Sequence, residues 1–175
     1  MSDERGAALE RFRPLRIWRS LDKDRKLKAA TAFWKSESVK EEDRAVAVAE
    51  IAKAVRFRPQ SILIAPAAKR AAWLAGLGAM SNHLASALLF AYHLETQVPI
   101  LSRFLDLLGV PHENGRITGE TKAPERKTLE EAVETILREF DSRDVTLYLE
   151  TLVSQDDEAW GALVEILDAR AAGRT

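Results

Sequence analysis

The chain has no cysteine. That removes disulfides, thiolate nucleophiles and cysteine-ligated zinc from consideration. Glycine is sparse, at 8 of 175 residues, while alanine is abundant and β-branched residues rarely cluster. A strand-rich or loop-rich fold is therefore disfavoured, and helix is expected almost everywhere. Only three histidines are present: His83, His93 and His112. There is no phosphate loop, dinucleotide fingerprint, nucleophile elbow, HExxH motif or EF-hand loop, so the common enzyme classes lose weight. Long uncharged runs are also scarce. The one exception, Ala71 to Leu94, is broken by Gly76, Gly78 and Ser81-Asn82-His83. It reads as two buried helices around a turn rather than a membrane span. The first residues, MSDERGAALERFRP, are charged and lack an apolar segment, so no secretory leader is expected and the cytoplasm is the expected compartment.

What is present is a repeat. Arg-Phe-Arg-Pro occupies residues 11–14 and again residues 56–59, 45 positions later. At the same ungapped offset Ile17 aligns with Ile62, Arg25 with Arg70, Ala30 with Ala75, Ser36 with Ser81 and Glu50 with Glu95. A fixed period of this size is typical of two- or three-helix repeat units. The expected architecture is all-α. Residues 11–55 and 56–100 form duplicated three-helix units within a short array over 11–108, with Phe12 and Phe57 in equivalent buried places. A loop or linker spans 109–127, and an acidic three-helix subdomain spans 128–171.

Local signals place the helices. Pro14, Pro59 and Pro66 sit at helix starts, where a missing N–H costs little. Ser38 with Glu41 and Thr128 with Glu131 have capping-box spacing, Ser81 is a further N-cap, and Thr96 is expected to cap the helix that follows it. The residues before Phe12 read as a frayed tail. Gly109 followed by Val110 and Pro111 is a strong helix stop. Asn114-Gly115 predicts a tight turn, with a small hairpin between Val110 and Ile117.

The net charge of −1 conceals a polarity. Residues 1–80 carry 17 basic and 10 acidic side chains, and residues 81–175 carry 9 and 17. No acid lies between Glu50 and Glu95, a stretch that includes Arg56, Arg58, Lys69 and Arg70. Guanidinium groups beside aromatics suit carboxylate or phosphate contact. They also suit a purely structural joint, in which each Phe plugs a core and each Arg caps helix carbonyls. Arg70 has the further option of reaching an acid of the C-terminal third.

The histidines give little. His83 and His93 are ten residues apart, about 80° off one helix face and about 15 Å apart in rise, so they do not share a metal from one helix. No metal and no cofactor is expected.

The leading expectation is a non-enzymatic interaction module whose groove is lined by Arg56, Arg58, Arg70 and Tyr92. It would bind a protein or anionic partner, and a homo-oligomer is an open alternative. The first alternative is nucleic-acid binding through the basic half. The second is a small hydrolase or ligand-binding protein using the histidines. No membrane partner is expected.

Overall fold

The structure, a computed structural model, describes residues 2–173, with side chains from Arg5 onward. Among the described residues it is built from twelve helices and one two-stranded hairpin. In chain order these are α1 (Ser2–Glu10), α2 (Pro14–Ser20), α3 (Lys23–Lys35), α4 (Glu41–Val55), α5 (Pro59–Leu63), α6 (Ala67–Ala75), α7 (Asn82–Thr96) and α8 (Val98–Leu108). Then come β1 (His112–Glu113), β2 (Arg116–Ile117), α9 (Arg126–Glu139), α10 (Ser142–Gln155), α11 (Asp157–Trp160) and α12 (Ala162–Ala172). The all-α expectation holds. Among the described residues no helix is long and apolar enough to cross a membrane.

The chain divides into two compact units, Pro14–Thr96 and a second made of the residues up to Arg13 with those from Gln97 onward. The segment expected as a frayed tail is instead helix α1 and belongs to the second unit. Alanines favour helix there, and the residues just after it are held: Phe12 is buried, and Arg11 pairs with Asp168 of α12.

Within Pro14–Thr96, α3 packs against α6 and α7, α2 against α7, and α4 against α5, α6 and α7. Its core holds Ile17, Trp18, Phe33, Ile51, Ile62, Leu74, Leu84, Leu88 and Leu89. These fall at helical spacing on facing stripes, and their burial is the main stabilising term. Polar contacts fix the pairings. The Leu15 N–H, which α2 leaves without a helical acceptor, donates to Asn82 Oδ1 at 3.0 Å. His83 Nε2 lies 2.6 Å from Asp43 Oδ1, joining the starts of α7 and α4.

In the second unit α8 packs on α9, and α9, α10 and α12 pack on one another. Phe104 is central, with its ring 5.7 Å from Tyr148 and 5.9 Å from Trp160. Arg103 grips Glu139 through two bonds of 2.9 Å, and Arg126 reaches both Glu130 and Glu165. The expected stop after α8 is present in full. Gly109 is left-handed at φ 66°, its N–H bonds Asp106 O, and the Val110 N–H bonds Leu105 O at 2.9 Å. The expected hairpin is also present, with His112 opposite Ile117 and Glu113 opposite Arg116. Asn114 (φ 50°) and Gly115 (φ 84°) supply the two left-handed residues that such a turn requires.

Three expected caps are displaced. Helix α4 is preceded by Lys40 rather than Ser38, because the Ser36 hydroxyl accepts the Ser38 N–H at 3.2 Å and holds that residue in a turn. Thr96 stays in the last turn of α7, where its hydroxyl donates back to Tyr92 O at 2.6 Å, and Gln97 precedes α8. Helix α9 begins at Arg126 instead of after Thr128, since Glu130 one turn on engages the arginine.

The expected equivalence of Phe12 and Phe57 is not found. Phe12 is 3% exposed and Phe57 is 51% exposed. The two prolines of the repeated motif do act alike, each opening a short helix. The arginines before them do not: Arg56 is left-handed, and Arg11 does not share that conformation. Proline dictates its own φ wherever it stands, whereas the burial of a phenylalanine depends on what the rest of the fold places over it.

Candidate functional site

The second Arg-Phe-Arg-Pro is a hinge between α4 and α5. Helix α4 ends at Val55, and Arg56 takes φ 56°, ψ 39°. Its own N–H and that of Phe57 both bond Ala52 O, the latter at 3.1 Å. This is a glycine-type cap made with an arginine, a conformation that costs a residue with a Cβ about 1–2 kcal/mol. Arg58 is extended, as a residue before proline should be, and Pro59 opens α5.

This hinge presents Arg56, Phe57 and Arg58 to solvent. The Phe57 ring meets Trp73 edge-on at 5.8 Å, and Lys69 Nζ lies 5.1 Å from the Trp73 ring. Helix α5 buries Ile62 and leaves Leu63 (57% exposed) in solvent, and Ile64, just past its end, is 84% exposed. Single exposed apolar side chains need no explanation, but three within eight residues mark a surface that is left uncovered. The charge of this stretch of chain has one sign, because no carboxylate occurs between Glu50 and Glu95.

Of the four residues expected to line one groove, Arg56 and Arg58 share this exposed hinge. Arg70 is half-buried, with its guanidinium carbon 5.0 Å from the Trp34 ring centroid. Its Nε and the Trp34 Nε1 are buried without a hydrogen-bond partner. The charge is thus held by an indole face of its own unit, as a cation–π contact. Tyr92 is 2% exposed and belongs to the core, so a partner on the surface does not meet its ring. The spacing Leu84, Leu88, Tyr92 on α7 was the signal for that burial. Sequence reasoning missed Leu63 and Ile64, since an apolar pair in a short helix reads as core.

The histidines are separately engaged. His93 is buried with its ring edge-on to Tyr92 at 5.3 Å, and burial pushes its pKa from 6.5 down to about 3. It is neutral at any ordinary pH. His83 contacts Asp43, while His112 contacts Asp106 at 2.9 Å and accepts the Gly115 N–H at 3.1 Å. Among the described residues no group of three or more His, Asp or Glu is placed to hold a metal.

In the second unit a cleft of about 580 Å³ lies between α1, the start of α9 and α11–α12. Its walls include Leu9, Ala159 and Val164, and its rim carries Arg5, Arg126, Glu158 and Asp168. Both signs of charge are represented, and Arg126 and Asp168 are already paired with Glu165 and Arg11. On α10 of the same unit, burial raises the Glu150 pKa, partly offset by Arg11.

No protein-family model matches this chain, and no curated protein or solved structure matches it.

Proposed function

We propose that Pro14–Thr96 is a non-enzymatic interaction module, acting in the cytoplasm, that holds a protein or other anionic partner. One observation carries the reading. Phe57, Leu63 and Ile64 are exposed beside Arg56, Arg58 and Lys69, in a stretch without a single acid. Apolar side chains in solvent gain from being covered, and the surrounding cations select the charge of what covers them.

The same module reads as two interlocked halves of a duplication. Exchanging α2 with α5, α3 with α6 and α4 with α7 converts the packing pairs of the unit into one another. The short helix of each half lies on the long helix of the other, and Ile17 and Ile62 are equivalent buried anchors. This supports an interlocked pair over a linear array.

The test is affinity capture from native lysate with and without nuclease. A partner retained after nuclease, released by salt and lost with Arg56→Gly plus Arg58→Ala fits the reading. Nucleic-acid binding is the second reading, favoured by the Phe57–Trp73 aromatic pair beside cations. Nuclease sensitivity of the captured material selects it.

A further inference from the structure

We infer that this surface docks an acidic, amphipathic segment of another protein: apolar side chains cover Phe57, Leu63 and Ile64, and carboxylates pair with Arg56, Arg58 and Lys69. The inference rests on the interaction-module reading and names its partner class.

Three observations point to this occupant. The first is shape. Helix α5 has five residues and is therefore about 7.5 Å long. Phe57 at one end and Leu63–Ile64 at the other thus lie within the span of a few turns of partner helix, which recognises a surface through apolar anchors on one face. The second is the kind of apolar group. Leu63 and Ile64 are aliphatic and are the most exposed large apolar side chains among the described residues. A base stacks on aromatic faces and gains little from them, so a protein segment satisfies this surface better than a nucleic acid does. The third is charge. Arg56 and Arg58 flank Phe57, Lys69 stands over Trp73, and the stretch from 51 to 94 contributes cations without a single carboxylate. Guanidinium groups bind carboxylates through paired, charge-assisted hydrogen bonds.

The backbone of Arg56 adds weight. A left-handed cap is cheapest as glycine, yet an arginine holds it. Strain retained at an exposed position points to a use for the side chain. It also provides a clean variant, because Arg56→Gly removes the guanidinium while suiting the turn.

The experiment uses the full chain, labelled with ¹⁵N, and a fluorescent peptide with Leu and Phe on one helical face and Glu on the other. Controls are the same peptide with Ser for Leu and Phe, the same peptide with Lys for Glu, phosphatidylserine vesicles and oligo-dT. The expected result is that only the acidic apolar peptide binds and that amide shifts concentrate at Phe57, Leu63, Ile64 and Lys69. Ile64→Glu should weaken binding by about tenfold or more. Arg56→Gly should weaken it by about tenfold while the thermal midpoint stays level or rises. Equal binding of the Ser peptide overturns the inference, as does binding of vesicles or oligo-dT at these residues in place of the peptide. Self-association abolished by Ile64→Glu also overturns it, in favour of a second copy. Those outcomes leave the broader module reading standing. Failure of every probe, with no self-association and no shift at these residues, overturns both.

Discussion

His93 makes the stability of Pro14–Thr96 depend on pH in a direction that the structure fixes. The imidazole is buried in α7, and its folded-state pKa is about 3 against 6.5 when unfolded. The native state therefore holds it neutral, and the unfolded chain takes up the proton first as pH falls. Its contribution is intact above pH 6.5 and is lost progressively between 6.5 and about 3. Linkage makes the loss about 2 kcal/mol at pH 5 and about 3 kcal/mol at pH 4, relative to neutral pH. The assay is urea unfolding of wild type and of His93→Phe at pH 7 and pH 5. Phenylalanine keeps a ring against Tyr92 and cannot be protonated; His93→Gln is the second variant in case the larger ring does not fit. His83, His112 and the carboxylates are common to all three proteins and cancel in the comparison. The wild type should lose about 2 kcal/mol more than either variant on going from pH 7 to 5. Equal losses would refute the reasoning, and so would a His93 ring resonance titrating near 6.5 in the folded protein.

Gly115→Ala should destabilise by about 2–4 kcal/mol in thermal or urea unfolding, because the residue is at positive φ and an added Cβ lands 2.6 Å from the Leu101 Cβ, which cannot rotate away. Glu150→Gln should raise stability at pH 7: a folded-state pKa raised by burial means that the ionised carboxylate is a cost there, lost again as pH falls. A variant less stable than wild type at pH 7 refutes this. Arg70→Lys should cost about 0.5–2 kcal/mol, since a compact ammonium does not reproduce the guanidinium's contact with the Trp34 ring; unchanged stability and unchanged tryptophan emission would refute it.

The helices were legible because their signals are local. Pro14 and Pro59 mark starts, Gly109-Val110-Pro111 marks a stop, and Asn114-Gly115 marks the hairpin turn. Each is a statement about φ or a missing N–H, and neither depends on distant residues. Caps were less legible. Ser38 and Thr128 have the right chemistry, but the hydroxyl of Ser36 and the Arg126–Glu130 pair settle where α4 and α9 begin. The candidate site was half legible. The acid-free run and the cations can be counted from the sequence, whereas the exposure of Leu63 and Ile64 cannot. Exposure is a property of what fails to cover a side chain, and no residue type encodes that.

The proposed duplication gives that failure a pattern. Ile17 and Ile62 match at the offset of 45, and both are buried. One residue later the halves part: Trp18 is 2% exposed and its counterpart Leu63 is 57% exposed. The difference is not one of hydrophobicity, since both side chains are strongly apolar; it is one of coverage. Fully burying a leucine is worth about 1.5–3 kcal/mol, and at 57% exposure Leu63 leaves about half of that gain unrealised. A buried anchor beside an apolar neighbour left in solvent is what the proposed interface requires. Polar replacement separates the two possibilities. Leu63→Gln should leave the unfolding midpoint within about 0.5 kcal/mol of wild type, as expected for an exposed position, and should weaken binding of the acidic peptide. A loss of several kcal/mol would instead mean that Leu63 is covered in the native state, and the surface on which the interaction reading rests would not exist.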